Sequence, residues 1–150
     1  MDVWLIEPPA AVKAAAAGVQ AVFSSLGWIE PVPSHFLHVL VSHDADFLGL
    51  ESTFEVAYGR ANCFHDAVVA EVAADALSSL RRDEFCLPHL TLGYFRRSAP
   101  ARELGVRLEP LREAELGTQL VDELLLCRVP LSRKTFLQPW TVLRRLPLRR

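Results

Sequence analysis

The chain has 150 residues, 16 Lys+Arg against 18 Asp+Glu, and a formal net charge of −2. That length fits one domain with a core that needs no metal or disulfide staple, and 51% hydrophobic residues exclude wholesale disorder. No apolar run is long enough for a transmembrane helix, the start MDVWLIEPPA lacks the basic flank and long apolar core of a secretory signal, and three cysteines, Cys63, Cys86 and Cys127, argue for a reducing cytoplasm rather than a disulfide framework.

Val3 to Ile6 is a short apolar run closed by Glu7-Pro8-Pro9 and reads as a strand. Val12, Ala15, Ala16, Val19, Val22, Phe23 and Leu26 follow helical spacing, and Gly27 stands where a helix stop is preferred. Pro31-Val32-Pro33 is a turn or an extended entry. Phe36 to Ser42 (FLHVLVS) reads as a strand, and His43-Asp44-Ala45-Asp46 as a loop. Further strands are expected over Thr53–Tyr58, Ala67–Val72 and Pro88–Phe95 (PHLTLGYF). Asp75–Arg82 suggests helical turns with Asp75 as N-cap, and Pro100–Glu115 a helix. Leu120–Val129 and Trp140–Leu146 read as closing strands joined by a loop of about ten residues. The elements are interspersed without strict βαβα alternation, and neither GxGxxG nor GxxxxGK[ST] occurs. An α+β sheet protein is the expected class.

Near-neutrality conceals an asymmetry. From Arg128 onward there are seven basic residues and no acidic ones, so that segment carries +7 and the first 127 residues −9. A basic segment suits a phosphate-bearing partner. It equally suits a solubilising end that balances an acidic body.

The informative segments are FLHVLVS and PHLTLGYF, each with one histidine, His38 and His89. On a strand His89 and Thr91 share one face while Leu90 and Leu92 share the other; His38 and Leu40 likewise oppose Val39 and Val41. The apolar alternates can anchor the core while the histidines line a cleft. Such a pair suits phosphoester cleavage, one imidazole taking a proton from water and the other giving one to the leaving oxygen. Thr91 can donate a hydrogen bond to a phosphoryl oxygen.

In these segments the sequence resembles the 2H phosphoesterase superfamily, in particular its 2′-5′ RNA ligase-like and RNA 2′,3′-cyclic phosphodiesterase branch, whose two motifs read His-x-Thr/Ser-x with x hydrophobic. His89-Leu90-Thr91-Leu92 matches closely. His38-Val39-Leu40-Val41 departs, because Leu40 stands where the hydroxyl belongs. The strand–helix opening, the VVAEV strand and the closing strands ending in Leu-Pro-Leu follow the same order, so the resemblance covers nearly the whole chain. It implies one bilobal, pseudo-symmetric α+β domain over 1–150, with mostly antiparallel sheets flanked by helices and a central cleft. It further implies that His38 and His89 flank the scissile phosphate and that Thr91 binds it. The working order is His89 as base and His38 as acid, which the sequence does not fix. Losing one hydroxyl donor could cost on the order of 10²–10³ in rate, unless Ser42 supplies it.

Two alternatives stay open: a degenerate module that binds an RNA end or phosphorylated nucleotide with little catalysis because of Leu40, and a structural protein with incidental histidines. Tyr94 is a candidate for stacking on a base. Arg96 and Arg97 are candidates for phosphates or for a solvated strand exit. His35 and His43 read as exposed, and His65 as a turn residue. Cys63-x-His65 and Cys86-x-x-His89 invite a zinc reading, but neither forms a CxxC pair and a buried cysteine is more often a small hydrophobe. The expectation is therefore no metal and no cofactor, a cytoplasmic monomer without a membrane partner, and an RNA end or cyclic nucleotide as substrate.

Overall fold

The computed structural model describes residues 2–42, 50–64, 66–78, 88–97, 101–129 and 140–150. The chain opens with β1 (Asp2–Ile6), α1 (Ala10–Phe23) and β2 (Ile29–Pro31), then makes a 3₁₀ turn at Ser34–Phe36. β3 (Val39–Ser42), β4 (Phe54–Phe64) and β5 (Ala67–Ala73) follow, then the short α2 (Asp75–Ser78) and β6 (His89–Phe95). α3 (Ala101–Leu108) runs into a 3₁₀ turn at Glu109–Leu111, and β7 (Gly117–Val121), β8 (Glu123–Arg128) and β9 (Thr141–Pro147) complete the chain.

The strands pair antiparallel in one curled sheet of order β7-β4-β5-β6-β3-β1-β8-β9, with β2 also on β6. It falls into two lobes. One holds β7, β4, β5, β6 and β2; the other holds β3, β1, β8 and β9. A single registered pair, Val39 with Leu90, joins β3 to β6. The α+β two-lobed arrangement expected from the resemblance is the one observed. A parallel bridge between Ser52 and Arg149 also ties the end of the chain to the entry of β4.

Alternation explains the layers. Trp4 and Ile6 enter the main core, together with Val12, Ala16, Val19 and Phe23 of α1 and Leu90 and Leu92 of β6. Val3 and Leu5 point the other way, into a second cluster with Leu125 and Cys127. Gln20 of α1 donates from its amide to the carbonyls of Val32 (2.7 Å) and Leu92 (2.9 Å). The helix is thereby fastened to the point where β2 meets β6.

Several boundaries differ from expectation for physical reasons. α1 stops at Phe23, ahead of Gly27, because Leu26 and Trp28 are needed in the core and leave the helix to reach it. Pro31-Val32-Pro33 begins inside β2, which ends at Pro31, although the Val32 amide still donates to the Leu92 carbonyl (2.9 Å). The strand expected from Phe36 starts only at Val39, because Pro33 sets up the 3₁₀ turn. β4 runs on to Phe64, six residues past Tyr58. The helix expected over Pro100–Glu115 ends at Leu108, with Pro110 inside the 3₁₀ turn that follows. The strand expected over Leu120–Val129 is two: the chain crosses between lobes at exposed Asp122, leaving β7 on β4 and starting β8 on β1. The expected loops at His43–Asp46 and between Val129 and Trp140, and the helical turns beyond Ser78, lie outside the described residues.

Part of the basic C-terminal charge is spent within the fold. Arg128 pairs with Asp2 (3.0 Å) and Arg145 with Glu123 (2.6 Å). Arg144, Arg149 and Arg150 have no ion pair among the described residues.

Candidate active site

The pair Val39–Leu90 sets the geometry. Both residues are fully buried on the core face. Continuing that register one residue each way sets His38 opposite Thr91 and Leu40 opposite His89, all four on the other face. Directly opposite residues lie about 5 Å apart and diagonal ones about 7–8 Å. The two histidines are the diagonal pair. A local two-fold through Val39–Leu90 carries His38-Val39-Leu40 onto His89-Leu90-Thr91, so each imidazole has beside it the third residue of the other motif. The hydroxyl-bearing side is that of His38, and the side that lacks a hydroxyl is that of His89.

His38 sits at the mouth of β3, just after the 3₁₀ turn. Its Nδ1 is 2.8 Å from the carbonyl oxygen of Phe36. A carbonyl only accepts, so Nδ1 carries the proton, and in the neutral ring Nε2 holds the lone pair. Burial pushes the pKa of His38 below the usual imidazole value; the Phe36 carbonyl opposes this, and the charge of His89 reinforces it. That effect on His38 fits two imidazoles on one face. Trp140 meets the His38 ring edge-on, with centroids 6.4 Å apart and planes at 72°.

His89 opens β6 and is flanked on its other side by Glu71 of β5, its registered partner. Glu71 is held by the Asn62 amide at 3.0 Å. It also lines a cavity of about 430 Å³ with Ala57, Ala73, Thr118, Glu113 and Glu115.

Tyr94 reaches the same face through a bulge. Val69 pairs with Thr91 and Val68 with Gly93, so β6 carries one extra residue, Leu92. Leu92 and Gly93 therefore both turn to the core, and Tyr94 returns to the side of Thr91, with which its phenol shares a hydrogen bond. Burial raises the Tyr94 pKa, and that hydrogen bond opposes the rise. Arg96 is exposed and its guanidinium is engaged by Glu30, at 3.0 Å. Arg97 is exposed at the strand exit, and His35 is exposed with its ring tilted by 55° against that of Phe36, centroids 4.0 Å apart.

The thiols offer no activated nucleophile among the described residues. Burial pushes buried Cys127 up to about 11, and it raises Cys63 as well. No group of three or more potential metal ligands occurs among the described residues, and His65 and Cys86 lie outside them. His43 also lies outside them. Sequence reading missed Trp140 and Glu71. The first stood at the start of an expected closing strand and the second inside the strand expected over Ala67–Val72. Only cross-strand register, which no local signal reports, brings Glu71 beside His89.

A mostly antiparallel two-lobed sheet with a histidine strand from each lobe at the junction defines a class: the chain has the fold of the 2H phosphoesterases, LigT-like proteins among them. Its solved neighbours include TT0787 of Thermus thermophilus (TM-score 0.75, 20% identity, 99% of this chain and 97% of that one). A phosphoesterase (0.70, 15%, 99% and 98%) and E. coli LigT complexed with phosphate (0.66, 16%, 99% and 97%) share it as well. LigT has also been solved with ATP, NADP+ and 3′-AMP. No protein-family model and no curated protein matches the sequence. At these identities the likeness is one of fold.

Proposed function

We propose that the protein is a phosphodiesterase that opens 2′,3′-cyclic phosphates of RNA ends or nucleotides, or cleaves a related 2′-5′ linkage, by two-histidine acid–base catalysis without a metal. The observation that carries this reading is the register that sets His38 and His89 diagonally on one face, with Thr91 opposite His38. The LigT complexes with phosphate and 3′-AMP support a nucleotide-like ligand.

The hydrogen bond to Phe36 and the lowered pKa favour His38 as the base, the reverse of the order taken from sequence. Nε2 of His38 takes a proton from water, whose oxygen attacks phosphorus in line. The P–O bond to one ribose oxygen breaks, and that oxygen takes its proton from His89. Thr91 holds a phosphoryl oxygen as charge develops, and Tyr94 fixes the Thr91 hydroxyl. The assay is turnover of a 2′,3′-cyclic nucleotide in chelator. His38→Ala and His89→Ala are each expected to lower kcat by about 10²–10⁴. Wild-type inactivity, or full rate in both variants, would sink the reading.

Leu40 favours one alternative, a module that holds the phosphorylated end without cleaving it. Calorimetric titration with 3′-AMP, run beside the activity assay, separates the two. Binding that disappears in His89→Ala, with no product under any condition, would establish the alternative.

A further inference from the structure

The histidine face carries a residue that the acid–base scheme does not use. Trp140 stands just before β9, its ring edge-on to His38 at 6.4 Å. It packs with Val129, Val142 and Leu40 on the cluster of Val3, Leu5, Leu125 and Cys127. Leu40 lies opposite Leu5 in the β1–β3 register, so it is continuous with the floor on which the indole sits. The Trp140 Nε1–H is buried and has no hydrogen-bond partner among the described residues. An indole that leaves its donor unpaired is held there by its ring and not by its nitrogen.

We propose that Trp140, packed with Leu40 on one apolar cluster, is a positioning residue for His38: together they close the apolar side of the imidazole, keep Nδ1–H on the Phe36 carbonyl, and leave Nε2 as the nitrogen presented to substrate. Leu40 then has a role of its own. Where a hydroxyl would bring water to this wall, leucine extends a dry surface. Burial is the leading cause of the lowered His38 pKa, as such a wall requires. Among the described residues, the titratable or charged groups on this face include His89 and Tyr94 on β6, Glu71 on β5, Glu123 on β8, Arg145 on β9, and Cys127 with Glu7 near it. Of these only His89 acts on His38. The catalytic part of the inference rests on His38 being the base proposed above.

The test follows the His38 imidazole by ¹⁵N NMR through a pH titration, in the full chain, alongside kcat and KM for a 2′,3′-cyclic nucleotide. Trp140→Ala is expected to raise the His38 midpoint toward the ordinary value of about 6.5 and to mix its tautomers. It should lower kcat by about 10–100-fold with KM within about twofold. Trp140→Phe, which keeps a ring and removes the N–H, should stay within about twofold of wild type, because the ring carries the effect. Leu40→Thr should shift His38 in the same direction, and its effect should not add to that of Trp140→Ala. Trp140→Leu keeps apolar volume if the alanine variant does not fold. A folded Trp140→Ala or Trp140→Leu with unchanged His38 shifts and midpoint overturns the proposal, as does a Trp140→Phe as impaired as the alanine variant. Inactive wild type with the His38 shifts still moving would instead refute the function and leave the positioning intact.

Discussion

Gly93 is the residue on which the bulge in β6 depends. A Cβ built there would lie 2.9 Å from Ile29 Cγ2, 3.0 Å from Phe23 Cε2 and 3.1 Å from the Glu30 carbonyl oxygen. Phe23 is fully buried and Ile29 nearly so, and the third atom is backbone, so no flexible end can move aside. Gly93→Ala must push β2 away from β6 by several tenths of an ångström or move α1. Overpacking of this kind costs about 1–3 kcal/mol. For a chain of this size each kcal/mol is worth roughly 2–4 °C, giving a fall in Tm of about 2–12 °C. The shift would pass through the pair Glu30–Tyr94 and loosen the Tyr94–Thr91 hydrogen bond, so activity should fall more than stability alone requires. Urea unfolding gives the first quantity and turnover below the transition the second. A variant within about 0.3 kcal/mol of wild type, with an unchanged m-value, would refute the reasoning.

Because the folded pKa of His38 lies below its unfolded value, folding favours the neutral ring. That contribution to stability is complete above about pH 6.5 and is lost as pH falls through the folded value; unfolding free energies at stepped pH should show the decline, and His38→Gln should remove it. Thr91→Val is expected to lower kcat by about 10²–10³ with the fold intact, and a rate unchanged in that variant would remove Thr91 from the mechanism. Replacing Arg144, Arg149 and Arg150 together with Gln should flatten the log–log salt dependence of single-stranded RNA binding by about 2. Replacing Arg128 and Arg145, already paired with Asp2 and Glu123, should leave the slope as it was; equal effects of the two sets would contradict the assignment.

The parts of the site legible in the sequence were those set by local alternation. His38 against Val39, and His89 and Thr91 against Leu90 and Leu92, follow from period two alone. What stayed hidden depends on partners distant in the chain. The bulge at Leu92 that turns Tyr94 toward Thr91 is forced by β5 and by the approach of Ile29 at Gly93. The break at Asp122 reflects a crossing between lobes, which a continuous apolar run cannot announce. Trp140 gains its place from a cluster whose other members begin at Val3. Arg96 looked available for phosphate because Glu30, its partner, is 66 residues away.

The two lobes also differ in how they can be assembled. β4, β5, β6 and β7 are contiguous over residues 54–121, and their pairings are mostly between sequence neighbours. The other lobe is stitched from both ends: Asp2 pairs with Arg128, and β9 completes the edge. Loop closure over such a span is slow. During synthesis, His89 and Thr91 can therefore settle in a formed lobe while β1 still lacks its second neighbour and the apolar floor under Trp140 is open. Maturation of the His38 environment is thus expected late in folding, with the arrival of β8 and β9, and the interval before it is when Val3 and Leu5 would be most exposed to misassociation.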